Sequence, residues 1–207
     1  MTFLIILGII LTVIILIVLL TILLLPWMDR WGTPMDELPV DLPGDDLVSN
    51  PPRITNRSVV VNTTKENIYP WLVQMGADKA GLYSYTWLEN LFGCRMAKVE
   101  VIREEWQNPQ PGDLMKMCAK DPAPPPYEVA RVIKNEAVIF YHHDEDVVAD
   151  SWAFILLPMP DGRTRLLSRT RTTMTGGFWE IIRPISFKME RKMLLTVKKL
   201  AENNPVY

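Results

Sequence analysis

Residues 185–201 read ISFKMERKMLLTVKKLA and predict an amphipathic α-helix near the end of the chain. Apolar side chains recur every three or four residues, which is typical of a helix with one buried face. Pro184 stands where a first helical residue tolerates the missing N–H, and Asn203 and Asn204 predict the helix end. The predicted buried stripe consists of Met189, Met193, Leu194, Val197, Leu200 and Ala201. Its two methionines suit either a cavity wall or ordinary core.

Alternating apolar residues and turn signals predict a series of β-strands before this helix. The seven candidate strands are Arg57–Val61, Lys98–Arg103, Asp113–Cys118, Tyr127–Ile133, Ala137–His142, Ser151–Leu157 and Thr164–Thr172. Strands in succession favour an antiparallel sheet. A curved sheet of six to seven strands, covered on one face by the last helix, is an α+β architecture that can enclose a cavity.

Two short helices are predicted between the first and second candidate strands. Thr63 and Glu66 have the spacing of a capping box, so a helix should begin there. Pro70 lies inside this helix and should kink or shorten it. A second short helix is predicted from Tyr85 to Phe92 and should end at Gly93.

The N-terminal segment predicts an uncleaved membrane anchor over residues 1–28. Residues 3–25 are almost entirely apolar and would span roughly 34 Å as a helix, enough for a bilayer core of about 30 Å. No basic start and no small-residue cleavage site is visible, unlike a secretory signal peptide. The lipid bilayer is therefore an expected partner, with Trp27 and Trp31 at the interface. Arg30 after the helix favours a cytoplasmic location for the remaining chain.

Residues 29–52 predict an extended tether, because prolines and acidic residues alternate there without a helix or strand period. An acidic segment is not attracted to an anionic membrane surface, so the following domain should stand off the bilayer. We expect residues 53–207 to form that single domain.

Composition excludes some partners and site types. The net charge is −2 with acids and bases intermixed, which argues against nucleic acid as a partner. Cys94 and Cys118 do not have metal-site spacing, and we interpret both as reduced and buried, although a bridge between them stays open. We expect no cofactor and no metal ion.

One segment resembles a known superfamily. Residues 81–93, GLYSYTWLENLFG, are similar to a signature of a membrane-anchored subgroup of the SRPBCC superfamily, which has the START-like or polyketide-cyclase-like helix-grip fold. Further similar segments follow in order: Trp31–Thr33, Leu42–Asp46, Pro70–Gly76, Glu105–Gln107, Gly112–Asp113, Trp152–Phe154, Thr164–Arg171 and Met189–Leu194. The resemblance implies a hydrophobic pocket under the last helix, and it says little about chemistry.

The candidate ligand-binding residues combine this implied pocket with aromatic and polar side chains. They are Tyr83, Tyr85, Trp87, Asn90, Trp106, Phe140, His142, Trp152, Phe154, Arg169, Arg171, Met189 and Met193. The alternative for the aromatic residues is plain packing. No catalytic residue is identified.

Two polar clusters each have two interpretations. Arg165, Arg169 and Arg171 share one strand face, which either binds a ligand carboxylate or phosphate inside the cavity or lies in solvent. We favour solvent, because a buried unpaired arginine is costly. Residues 142–146, HHDED, could bind a metal ion but lack helical histidine spacing, so a solvated loop is favoured.

Two classes of function remain in front. The first is a membrane-anchored binder of a hydrophobic small molecule or lipid, held in a cavity between the sheet and the last helix. The second is an enzyme of the cyclase, dehydratase or hydrolase type, using a polar group in the same cavity. A tethered interaction domain with a filled core is a third option. We favour the binder, because the sequence shows no strong acid/base pair.

Overall fold

A computed structural model describes residues 2–34, 36, 38, 41–120, 123–144 and 147–204. The chain begins with α1, Thr2–Asp29, which contains Pro26. This helix is long and apolar enough to cross a membrane, and its side chains are exposed over most of its length. A signal sequence can have the same length and composition, so these two properties alone do not separate the two roles.

Six strands form one antiparallel sheet. They are β1 (Arg53–Val61), β2 (Leu114–Met115), β3 (Tyr127–Ile133), β4 (Ala137–Asp144), β5 (Val147–Pro158) and β6 (Thr164–Thr172). Their order in the sheet is β1-β6-β5-β4-β3-β2, so the first strand pairs with the last. Hairpins join β3 to β4, β4 to β5, and β5 to β6.

In the part of the chain that the structure describes, three further α-helices and a short 3₁₀ helix (Glu104–Trp106) accompany the sheet. α2 (Lys65–Val73) and α3 (Thr86–Leu91) lie between β1 and β2, and α4 (Phe178–Asn203) ends the described chain. Leu194 and Val197 of α4 are fully buried against the inner face of the sheet, together with Ile68 of α2 and Phe154 of β5. This confirms the predicted α+β helix-grip fold, with a long C-terminal helix on a curved antiparallel sheet.

The last helix begins earlier than predicted. α4 starts at Phe178, and Pro184 lies inside it instead of in front of it. Ion pairs hold the early turns: Glu180 pairs with Arg53, and Arg183 pairs with Asp29. These tertiary contacts outweigh the backbone bond that the proline removes.

Two strand predictions are wrong in part. Residues 98–103 form no strand, because other groups engage their backbone: Val99 N donates to Ala80 O (3.2 Å), and Arg103 N donates to the Gln74 side chain (3.2 Å). The predicted strand Asp113–Cys118 is reduced to two residues. The N-cap of α2 is Thr64, one residue after the predicted Thr63.

The predicted reduced state of the cysteines is also wrong. Cys94, after α3, and Cys118, after β2, form a disulfide. The two cysteines are 24 residues apart in sequence, and the loop between them contains the irregular segment 98–103. The disulfide therefore restrains this segment, which has no strand partner of its own.

Residues 41–48 form a strap of turns that packs across the outer face of the sheet, so the prediction of an extended tether is wrong for this segment. Leu42 is buried in a second apolar cluster with Ile139, Ala153 and Leu167. Gly44 has φ +93°, and an added Cβ would lie 2.7 Å from Ile139 Cγ2. Glycine is needed here because both the backbone angle and the close approach exclude a side chain. The domain boundary at residue 53 itself stays a prediction.

Ion pairs fix the strap to β6. Arg169 donates from Nε to Asp45 Oδ1 (2.6 Å) and from Nη2 to Asp45 Oδ2 (2.9 Å). Arg171 Nε donates to the Val48 carbonyl (3.0 Å). The arginine face of β6 therefore lies on the outer side of the sheet, away from α4, where the strap covers it instead of solvent.

Leu42→Ala should destabilise the domain by about 2–4 kcal/mol, because it removes a buried side chain from the second apolar cluster. Urea unfolding of the full chain in detergent micelles, followed by tryptophan fluorescence, measures this loss. Asp46→Ala is the matched control on the strap, since the Asp46–Arg131 pair is exposed and contributes at most about 1 kcal/mol. Equal, small effects of both substitutions would contradict the packed strap.

Candidate functional site: a cavity between the sheet and the last helix

A cavity of about 400 Å³ lies between the inner face of the sheet and α4. Because β-strand side chains alternate, the inner faces of β1, β3, β4, β5 and β6 all contribute to its wall. The strand residues on the wall are Arg53, Thr55, Arg57, Tyr127, His142, Asp150, Trp152, Thr170 and Thr172. The helix α4 adds Trp179, Ile182, Arg183, Ser186, Met189, Glu190 and Met193, and α3 adds Glu89.

Solvent exposure separates the rim of this cavity from its interior. Pro124, Pro125, Trp179 and Ser186 are exposed and form part of the rim. Arg57, Glu89, Asp150 and Glu190 keep less than a tenth of their surface exposed and lie in the interior. The cavity therefore has an open edge at the early turns of α4 and a buried polar interior.

Arg57 is the central cation of the interior. Its Nε donates to the Met28 carbonyl at the end of α1 (2.9 Å), and its Nη1 donates to Glu190 of α4. Asp29 lies 3.6 Å from Nη2, and the guanidinium stands 5.4 Å from the Phe187 ring centre. One buried guanidinium thus joins β1 to both the first and the last helix.

Buried Asp150 and half-buried Tyr127 form a hydrogen-bonded pair on adjacent parts of the wall. The Tyr127 hydroxyl donates to Asp150 Oδ2 at 2.5 Å. Burial raises the pKa of Asp150 to about 7; the hydrogen bond from Tyr127 opposes this, and the nearby Glu190 carboxylate adds to it. Burial and the Asp150 charge raise the pKa of Tyr127 well above its usual value, so the phenol stays a donor.

Several buried polar atoms around the cavity have no partner among the residues that the structure describes. These atoms are both oxygens of Glu89, one oxygen each of Asp150 and Glu190, and the Thr55 hydroxyl. Burial also raises the pKa of Glu89. A buried acceptor that receives no hydrogen bond costs about 1–3 kcal/mol, so four such oxygens in one place are a marked departure from ordinary packing.

The structure places four of the predicted ligand-binding residues on the cavity wall. His142 and Trp152 reach it from β4 and β5, and Met189 and Met193 reach it from α4. Trp152 is oriented by a hydrogen bond from its indole nitrogen to Ser168 Oγ (2.7 Å). Their contact with a ligand stays a prediction.

The other predicted residues lie elsewhere. Tyr83 is buried in the core and accepts a hydrogen bond from Gln74 (2.7 Å), while Asn90 holds the backbone of Met96. Phe140 and Phe154 pack on each other in the core. Residues with no part in the cavity wall also include Tyr85, Trp106, exposed Trp87, and the outer-face Arg169 and Arg171.

Sequence reasoning missed most of the polar interior, although signals for it exist. Asp150 is an acid in an otherwise apolar strand, two residues before Trp152 and therefore on the same face. Glu190 falls on the apolar stripe of the last helix, between Phe187 and Leu194. Arg57 occupies the middle of the first strand. Each is a charged residue at a position where the period predicts a buried one.

The structure adds no support for a metal site at residues 142–146. His142 lies on the wall, Glu145 and Asp146 lie outside the described residues, and no group of three metal-binding side chains occurs among the residues described. His142 is the cross-strand neighbour of Asp150, yet no hydrogen bond or ion pair joins these two described residues.

Comparisons with known proteins find only distant structural similarity. No family model and no curated protein matches the chain. A protein from Mesorhizobium loti is 13% identical over 74% of this chain and 100% of its own, with a TM-score of 0.47. Norcoclaurine synthase from Thalictrum flavum is 13% identical over 73% and 87%, with a TM-score of 0.44. Aha1 from Colwellia psychrerythraea is 14% identical over 72% and 96%, with a TM-score of 0.42. The resemblance to a membrane-anchored subgroup stays a prediction.

The stability of the protein should fall as the pH rises from about 4 to about 7. Asp150 binds its proton more tightly when folded, so the folded state holds more protons in this window, and the loss reaches at most about 4 kcal/mol. Urea unfolding of the full chain in micelles at pH 4.5 and 7.5 measures the difference. Asp150→Asn should reduce it, and Asp161→Asn in the exposed β5–β6 turn should not. An unchanged difference in Asp150→Asn would contradict the assignment.

Proposed function

We propose that this protein is a membrane-anchored binder of a hydrophobic or amphipathic small molecule, held in the cavity between the sheet and α4. The observation that carries the proposal is the cavity itself: about 400 Å³, with Trp152, Met189 and Met193 on its wall. A volume in this range is typical of small-molecule sites, whose walls are mostly apolar with a few polar groups. Burial of ligand surface would contribute about 25 cal/mol per Å².

The position of α1 supports an anchoring role. Its end packs on the domain through the Arg183–Asp29 ion pair and the contact of Trp27 with Phe187, at a ring distance of 5.5 Å. In this proposal α1 crosses the bilayer and holds the domain directly at the membrane surface. The sequence-based expectation of a domain standing off the bilayer is dropped, since Asp29 and the strap both pack on the domain.

Exposed apolar side chains next to the cavity rim support entry from the bilayer. On the early turns of α4, Phe178 is 65% exposed, Ile181 72% and Ile185 54%, while neighbouring Trp179 and Ile182 line the cavity. α3, whose Glu89 lines the cavity, exposes Trp87 and Leu91 on its other side. Apolar patches of this kind mark contacts with a membrane or a partner, and the adjacent end of α1 favours the membrane.

The disulfide favours the oxidising side of the membrane for the domain. Disulfides persist in oxidising compartments and are rare in a reducing cytoplasm. This outweighs the single Arg30, which favours the cytoplasm by the positive-inside rule. We therefore replace the cytoplasmic expectation with an extracytoplasmic location as part of this proposal.

Met189→Trp should block the cavity, because a half-buried wall residue gains a much larger side chain. The full chain in phosphatidylcholine nanodiscs is irradiated with a twelve-carbon alcohol carrying a diazirine, and labelled residues are mapped by mass spectrometry. We expect label on cavity residues such as Trp152 and Met193, reduced at least five-fold by Met189→Trp.

Lys192→Trp is the matched control, since Lys192 lies on the exposed side of the same helix. It should leave the cavity label unchanged, and label on α1 should be equal in all three proteins. Label confined to α1 in the unmodified protein would overturn the proposed binding.

A second candidate function, acid/base catalysis in the same cavity, is favoured by the Asp150–Tyr127 pair. A carboxyl group with a pKa of about 7 is suited to take up and return a proton near neutral pH. The Tyr127 hydroxyl, already directed at Asp150, could polarise a carbonyl oxygen when a substrate displaces that bond. Asp150 would then remove a proton from the carbon next to the carbonyl.

Proton exchange tests this candidate directly. The full chain in micelles is incubated in deuterated water with a long-chain methyl ketone, and loss of the protons beside the carbonyl is followed by NMR. An enzyme of this kind should accelerate exchange at least ten-fold over buffer, and Asp150→Asn should remove the acceleration. Equal exchange with both proteins would exclude this chemistry for ketones and leave the binder.

A further inference from the structure

We propose that the polar end of the ligand is a protonated amine, which sits in the cavity interior against the carboxylates of Glu89, Asp150 and Glu190. This deepens the proposed binding function and rests on it. The inference comes from an excess of hydrogen-bond acceptors over donors in a part of the cavity that is almost closed to solvent.

The excess is visible atom by atom. Glu89 is 8% exposed, Asp150 5% and Glu190 8%, and four of their six carboxylate oxygens accept no hydrogen bond from the described residues. Tyr127 and Arg57 each donate to one of the other two. A ligand with several N–H donors would supply what these oxygens lack.

The arginines of the wall do not supply this charge, because each already has anionic partners. Arg53 pairs with Glu180, and Arg183 pairs with both Asp29 and Glu180. Arg57 is shared between Glu190 and Asp29. Glu89 and Asp150 are therefore left without an ion pair among the described residues.

The three carboxylates come from different elements and converge on one cavity. Glu89 lies on α3, Asp150 on β5 and Glu190 on α4, and all three line the cavity. Glu190 is close enough to raise the pKa of Asp150 by charge repulsion. A cation placed between such groups relieves their repulsion, whereas a carboxylate or phosphate would add to it.

The apolar side chains towards the rim indicate the rest of the expected ligand. Met189 directly precedes Glu190, and Trp179 and Ile182 lie on the early turns of α4, so an apolar tail would extend from the buried amine past these side chains to the open edge. The predicted ligand class is thus an amine with one apolar tail or ring system. An anionic lipid head group does not fit the same interior.

Three photoprobes with the same twelve-carbon diazirine tail test the inference, one with a primary amine, one with an alcohol and one with a carboxylate. The full chain is embedded in nanodiscs of net-neutral phosphatidylcholine at pH 7.5, and cavity label is normalised to label on α1. The amine should label the cavity at least ten-fold more than the carboxylate and at least three-fold more than the alcohol.

Glu89→Gln keeps the shape of the side chain and removes its charge, so it should reduce the amine preference at least three-fold. Glu100→Gln is the matched control, since the Glu100 side chain is 50% exposed and pairs with Lys98. A preference for the carboxylate, or equal labelling by all three probes, overturns the inference and leaves the proposed binding intact. Absence of cavity label with every probe overturns the proposed function itself.

Discussion

The buried guanidinium of Arg57 is the contact on which the arrangement of this molecule depends. Only 4% of the Arg57 side chain is exposed, so this buried cation must keep its hydrogen-bond and ion-pair partners. Those partners belong to two elements: the Met28 carbonyl on α1, and Glu190 and the ring of Phe187 on α4. The N-terminal helix is therefore attached to the domain at a defined place and angle. If α1 crosses a bilayer, the same contact sets how the cavity faces the membrane.

The sheet serves two purposes, one on each face, and β6 shows the division most clearly. Thr170 and Thr172 look into the cavity, while Arg169 and Arg171 look outward and hold the strap. On β5 the same alternation places Asp150 and Trp152 inside and Ala153 under the strap. The strap removes the outer face from solvent, so stability on that side does not depend on filling the cavity on the other. The inner side can then keep open space and unpartnered polar groups.

Sequence periodicity predicted several strand bounds well, but it did not predict what each strand face contacts, because those contacts come from residues distant in sequence. Residues 127–133 and 164–172 were predicted with their observed bounds, because alternation and turn residues are local signals. The face of β6 that looks inward is decided by what covers the other face, and Asp45 lies 124 residues away in sequence. The missing strand at residues 98–103 has the same origin, since Gln74 and Ala80 take its backbone groups. Asp150 and Glu190 were not predicted as cavity residues, because the surroundings of a charged side chain are set by distant elements and not by the local period.

Charged residues at positions where the period predicts burial are the most informative part of the sequence. A carboxylate that is buried without a donor lowers stability, and random drift would scatter such residues through the core or remove them. Here Glu89, Asp150 and Glu190 come from three separate elements and meet at one cavity, while the other apolar positions of α4 and β5 stay apolar. Departures from local rules are expected at functional sites and are compensated elsewhere. The second apolar cluster under the strap and the disulfide beside α3 are such compensation, because they stabilise the walls of a cavity whose interior does not stabilise itself.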